Sequence, residues 1–443
     1  MTSPAELLRS RDYVRLLAFA AILGIPIAAV AYFFLELVHL LQTWIFTDLP
    51  RAVGYATEPA WWPVPVLGVA GILVGLAIHR LPGRGGHSPA DGFTTGTVAT
   101  ARELPGIALA ALATLGLGAV LGPEAPLIAL GGGLAAATLR LGRRRVPPTA
   151  TPVVAAAGSF AAISTLLGSP VTGAFLLMEA SGLGGAMLGP VLVPGLLSAG
   201  VGALIFVGLD AWTGLGTMSL TLPDLPHAAS PDVAQFGWAV GIGVAAAFAG
   251  TGIRRLARLV RPHVDRRVLL VTPMVGLVVG ALAVLYTVVT GKGSADVLFS
   301  GQSGLGPLID SSAGYGVGVL LLLIACKGLA YAASMSAFRG GPVFPAMYLG
   351  AAGGLLLSHL PGLPPVTAAA MGIGAMCTAM LNLPFTSVLL ATLLLGKDGI
   401  TLMPLVIVAV VVAYVVSARI APAPTPGRSA EPAPAVAVPA GRR

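Results

Sequence analysis

Apolar runs of about 20 residues recur along most of this chain, at 16–36, 62–79, 105–121, 186–207, 267–289, 316–334 and 400–418. Each is long enough to carry a helix across the roughly 30 Å hydrocarbon core of a bilayer. Only 9% of the 443 residues are charged and 56% are hydrophobic, whereas a soluble domain carries about 25% charge. The chain therefore reads as an all-α integral membrane protein, because an open bilayer-spanning segment must satisfy its own backbone polar groups. The first apolar segment is too long for a cleavable signal peptide and shows no clear cleavage site.

The formal charge of +8 does not mark a nucleic-acid surface. It is concentrated in clusters: Arg9, Arg11 and Arg15; Arg140 with Arg143, Arg144 and Arg145; and the stretch from Arg254 to Arg267. Such clusters mark cytoplasmic loops. Cys326 and Cys377 fall within apolar segments and read as buried thiols, with neither a disulfide framework nor a metal pattern. No metal and no cofactor is expected.

Glycine (59) and proline (36) are abundant, and they break the helices at repeated places. "GPEAPLIALG" at 122–131 has a counterpart in "GPVFPAMYLG" at 341–350. "GSFAAISTLLGSPVTGAFLLME" at 158–179 lines up with "GIGAMCTAMLNLPFTSVLLATL" at 372–393, placing Gly158 over Gly372 and Pro170 over Pro384. The order and near-constant spacing of both matches suggest a cytoplasmic segment 1–12, a first repeat 13–208, a linker 209–231, a second repeat 232–418 and a disordered Pro/Ala-rich tail 419–443. Three arginines precede the first span, so the first helix should end outside. The apolar stretch 234–251 runs straight into "RRLARLVRPHVDRR" and should end inside. The second repeat is thus inverted, an architecture in which broken helices meet at a midplane binding site. The tail is read as carrying no soluble regulatory domain.

Gly-Pro-x-x-Pro before an apolar run suits a loop that ends in a helix N-terminus, where proline loses no hydrogen bond and glycine permits close approach. The first amides of a helix lack internal partners and carry partial positive charge. Two such ends aimed at one place make an anion site without a full charge. Glu124 stands in the first copy, where the second has Val343. A carboxylate there can occupy the seat of an anion and leave it on protonation, or it can simply stabilise its helix. A carboxylate at membrane depth is costly, which favours the first role. A third loop, "GRGGHSPADG" at 83–92, offers Gly86, His87, Ser88 and Pro89 and is read either as opening another half-helix or as an ordinary turn.

These residues resemble the CLC family of voltage-gated-type chloride channels and chloride/proton antiporters, in a prokaryotic form without CBS domains. Gly122-Pro123-Glu124-Ala125-Pro126 is similar to the family motif that carries the gating glutamate. Gly341-Pro342-Val343-Phe344-Pro345 is similar to a second anion-binding motif, and Gly85 to Pro89 to a third. The resemblance covers residues 16–418. It implies a CLC-like inverted repeat of tilted and broken transmembrane helices, a homodimer with one pathway per subunit, and a multi-pass place in the cell (inner) membrane. It assigns gating to Glu124, and anion binding to Gly86, His87, Ser88, Pro89, Gly122, Pro123, Ala125, Gly341, Pro342, Val343, Phe344 and Pro345.

The departures matter. The family's inner serine falls on Gly86, and its inner proton acid on Ala180, next to Glu179. Glu179 is read either as a substitute proton relay or as a helix-end residue. The family's inner tyrosine follows the last span, whereas Tyr414 lies within it, so that role is not transferred. Lys327 and Arg339, in or beside spans, either raise the potential for anions or pair locally. The expected function is transport of chloride or a similar small anion, gated by Glu124 and passive or weakly proton-coupled. The alternative is a stoichiometric chloride/proton antiporter. An intramembrane enzyme using Glu124 would need a second convergent group, yet no acidic residue stands between Asp310 and Asp398, and His359 is the one histidine there. The chain is read as not an enzyme.

Overall fold

The computed structural model describes residues 10–93, 98–141, 150–167, 169–182, 188–215 and 231–421. Residues 1–9, Arg143 to Arg145, linker residues 216–230 and tail residues 422–443 lie outside the described residues. Helix α1 (Arg11–Thr43) continues through a π turn (Trp44–Asp48) to Ala52. It is followed by α2 (Pro63–Arg80), α3 (Leu104–Gly116), α4 (Glu124–Leu141), α5 (Ala150–Leu166), α6 (Pro170–Ser181) and α7 (Leu188–Thr213). The second half contains α8 (Val233–Arg266), α9 (Val268–Thr290), α10 (Gln302–Asp310), α11 (Val317–Ala337), α12 (Val343–Leu357), α13 (Pro365–Leu381), α14 (Pro384–Leu394) and α15 (Lys397–Ile420).

Seven helical stretches among the described residues are long and apolar enough to cross a membrane. Most of the others are shorter. At 1.5 Å per residue, the 13 residues of α3 cover about 20 Å. Local chemistry sets these breaks. Asn382 leaves α13 in the left-handed region, and Pro384 opens α14. Ser169 caps α6 by accepting the Thr172 N–H at 3.4 Å, and Pro170 opens that helix.

One expectation from the sequence is corrected. The apolar run 105–121 is not one span: α3 stops at Gly116, and Gly118, with φ +92°, turns the chain into a non-helical peptide. That peptide finds partners in α11 and at Gly341 instead of continuing a helix. The 83–92 loop, read either as opening a half-helix or as an ordinary turn, takes the second form within the described residues. It forms two short 3-10 turns, Pro82–Gly85 and Pro89–Asp91, and Gly92 at φ +95° ends the second. Helix α7 also continues through Thr213, into the segment read from sequence as linker.

Packing repeats across the halves. In the first, α1 packs on α5 and α7, α4 on α3 and α5, and α6 on α5 and α7; in the second, α8 packs on α13 and α15, α12 on α11 and α13, and α14 on α13 and α15. A close glycine contact recurs with it. Gly131 of α4 meets Gly158 of α5 so tightly that a Cβ on either would strike the other's carbonyl, and Gly350 of α12 meets Gly372 of α13 in the same way. Helices α2 and α9 pack on each other, as do α6 and α14. Such contacts between equivalent elements are what a twofold relation between halves produces. Every residue of α13 from Val366 to Leu381 is buried, while Ile22, Leu204 and Val288 face outward. The apolar exterior is the surface a bilayer requires.

Candidate functional site

The two Gly-Pro-x-x-Pro copies meet. Gly122 and Gly341 form an isolated antiparallel bridge, with the Gly122 N–H donating to the Gly341 carbonyl at 2.7 Å and the reverse bond at 2.5 Å. Glu124 then opens α4, and Val343 opens α12. The bridge uses backbone groups at both loops, so the helix starts that follow are held side by side.

Glu124 is fully buried. Its Oε1 accepts the Phe344 N–H at 3.0 Å, an amide in the first turn of α12. Its Oε2 is buried with no hydrogen-bond partner, although a buried carboxylate oxygen normally has one. The carboxylate lies directly against Gly122 and Gly341, where an added Cβ would collide with it. Glycine is required there by close approach rather than by an unusual φ. Pro123, Val343, Phe344 and Pro345 are buried around it, with Ala125 half-buried. Thus a carboxylate from one half sits at the helix start of the other, with one oxygen satisfied and one open.

Sequence reasoning missed three neighbours. Tyr331 of α11, fully buried, donates its O–H to the Pro342 carbonyl at 2.6 Å. Ser334, one turn further on, accepts the Val120 N–H at 3.1 Å. Cys377 of α13 is fully buried and close enough to feel the charge of Glu124, as is Tyr331. Apart from their position in apolar helices, nothing in these single residues signals such contacts.

The 83–92 loop approaches the same crossing through Arg339. This buried residue, two before Gly341, donates from Nε to the Arg84 carbonyl at 3.3 Å, while its own N–H reaches Thr114 Oγ1 at 3.3 Å. Asp91 pairs with Arg261 of α8. Gly86 adopts φ +92°, Pro89 is buried, and the buried Ser88 Oγ has no hydrogen-bond partner. His87, between the half-buried Gly86 and the buried Ser88, is exposed. Lys327 does not face this crossing. Its ammonium is spent on carbonyls of residues 296–298.

Glu179 is engaged elsewhere. Near the end of α6 its carboxylate accepts the Phe385 N–H (3.0 Å), the Thr386 N–H (2.8 Å) and the Thr386 O–H (2.7 Å). It is the N-terminal cap of α14. Tyr414 lies on α15 and is 38% exposed.

The family model described as voltage gated chloride channel matches residues 91–418, most of the chain. The chain belongs to that family. Among its curated relatives is "Putative ion-transport protein YfeO" of Escherichia fergusonii, 27% identical over 374 residues that cover 82% of this chain and 85% of the relative. The protein of that name from Salmonella schwarzengrund is 29% identical over 363 residues, covering 80% and 84%. Two solved structures share the CLC fold. One is a slow cyanobacterial Cl⁻/H⁺ antiporter, with TM-score 0.74 and 17% identity over 91% of this chain and 94% of the other. The second is a CLC-type fluoride/proton antiporter, with TM-score 0.69 and 20% identity over 91% and 95%. The chain is accordingly a multi-pass membrane protein with the inverted-repeat CLC architecture.

Proposed function

We propose that this CLC protein moves chloride or a similar small anion across the membrane through the crossing of α4 and α12, with Glu124 as the gate. The observation that carries the reading is the seating of the Glu124 carboxylate on the Phe344 amide with its second oxygen unpaired. Amides at a helix start attract an anion, and the carboxylate occupies that place as a built-in competitor. Protonation removes its charge and the reason to stay, which leaves the amide to a transported anion. Backbone donors hold an anion without the tight grip of a fixed cation, as conduction requires.

Anion binding is assigned to the Gly122–Ala125 and Gly341–Pro345 segments, with Gly86 to Pro89 on the side reached through Arg339. The reading of 13–208 and 232–418 as two repeats is supported by the recurring Gly131–Gly158 and Gly350–Gly372 contacts. A homodimer is part of the proposal, as the resemblance implies. The choice of carrier over enzyme rests on family membership.

Passive or weakly coupled transport is preferred because Glu179 is committed to three hydrogen bonds at α14, which leaves it poorly suited to relay protons. The second reading, a stoichiometric antiporter, is favoured by the names of the two structural relatives. Anion efflux from proteoliposomes, recorded with and without a pH gradient, tests the choice. The passive reading expects no uphill proton movement, and anion-driven proton accumulation overturns it.

A further inference from the structure

One stripe of α11 reaches three segments that together hold Glu124. Lys327, Tyr331 and Ser334 stand at i, i+4 and i+7, and so share a helix face. Ser334 takes the Val120 N–H and Tyr331 reaches the Pro342 carbonyl. Lys327 is fully buried. Its Nζ donates to the carbonyls of Asp296 (3.0 Å), Val297 (3.2 Å) and Leu298 (3.0 Å), which use all three ammonium hydrogens. The Tyr348 ring covers the ammonium at 4.3 Å.

The loop so gathered is fixed from its other side as well. The Asp296 carboxylate accepts the hydroxyls of Tyr286 (2.9 Å), Tyr315 (3.2 Å) and Tyr348 (3.5 Å). Lys292 lies over the Tyr315 ring at 3.8 Å, and Glu58 accepts from Ser294 Oγ at 2.9 Å. At the end of the loop, the Phe299 N–H donates to the Gly118 carbonyl at 3.0 Å, and the Phe299 ring meets Phe46 edge-on. Gly118 begins the non-helical peptide that leads to Glu124 at the start of α4. The chain of contacts therefore runs from the Lys327 ammonium to three carbonyls, through Phe299 to Gly118, and along 118–122 into the gate.

We infer that Lys327 is a positioning residue for the Glu124 gate. Its fixed ammonium locks the 296–299 loop, and that loop, together with Ser334, sets where the 118–122 peptide places the Glu124 carboxylate relative to the Phe344 amide. Burying an ammonium at membrane depth is costly. An apolar side chain would fill the same helix face, but only a compact three-donor group can tie three carbonyls at once. The inference rests on the gate reading. The titratable groups that face Glu124 itself are Tyr331 and Cys377.

The test measures anion efflux from proteoliposomes in acid and at neutral pH. The variants are Lys327→Met, the milder Lys327→Gln and Ser334→Ala, each alone and combined with Glu124→Gln. The expected result is that each single substitution lowers the acid-to-neutral flux ratio roughly 3- to 10-fold, the scale of one lost hydrogen bond, because the carboxylate is no longer held in the closed position. In the Glu124→Gln background none of them changes the ratio. Monodisperse single variants with an unaltered ratio overturn the inference, and so does an equal change in the Glu124→Gln background, which would show an effect bypassing the gate. If Glu124→Gln alone leaves the ratio unaltered, the gate reading itself has failed, and that outcome is distinguishable from the others.

Discussion

The Phe344 amide donates to the Glu124 carboxylate at 3.0 Å across 220 residues of chain. Each residue lies in the first turn of a helix that starts inside the protein, and each belongs to a different half. The geometry depends on the Gly122–Gly341 bridge just upstream, whose two glycines the carboxylate lies directly against.

That close contact gives the first prediction. Gly122→Ala places a methyl group on the Glu124 carboxylate, so the carboxylate cannot take its seat. The backbone at Gly122 does not demand glycine, and relief should come from shortening Glu124. Gly122→Ala alone is expected to abolish the pH dependence of flux or to lower stability by about 1–3 kcal/mol, as for overpacking elsewhere. Combining it with Glu124→Ala should restore stability to that of Glu124→Ala alone. Thermal unfolding in detergent measures both.

Glu179→Ala removes the cap of α14. Loss of a cap costs about 0.5–2 kcal/mol, so the unfolding midpoint should fall. Proton movement coupled to anion flux should stay as in the parent protein. A selective loss of proton movement with unchanged stability would return Glu179 to the role of relay.

Glu58 lies in the loop between α1 and α2, outside the spans. Burial raises its carboxyl above the ordinary range, only partly offset by the Ser294 hydrogen bond. The folded state therefore holds the Glu58 proton more tightly than the unfolded state. By linkage, this contribution to stability is complete below the unfolded pKa and is lost as pH rises through the folded one. Unfolding midpoints measured across the acid range should fall with rising pH from this group, and Glu58→Gln should flatten that part of the slope.

Much of this was legible in the sequence. The two Gly-Pro-x-x-Pro copies announced helix starts, and α4 and α12 begin at Glu124 and Val343, within those copies. Gly158 lines up with Gly372 in the sequence, and the structure gives the two glycines matching helix contacts. For the 83–92 loop the sequence leaves a half-helix and a turn equally open, since glycine and proline signal a break without saying whether a helix follows. What remained hidden was long-range. That Lys327 serves residues 296–298, that Glu179 caps α14, and that Ser334 meets Val120 all depend on how distant segments cross, and a side chain's type carries no address for its partner.

The central claim is that the Glu124 carboxylate competes with the transported anion for one seat. Anion efflux as a function of pH from proteoliposomes containing Glu124→Gln tests it most directly, because the amide side chain keeps the shape of the protonated acid and cannot ionise. The account predicts flux that no longer varies with pH and is close to the parent's acid rate. A pH profile indistinguishable from the parent's would contradict it.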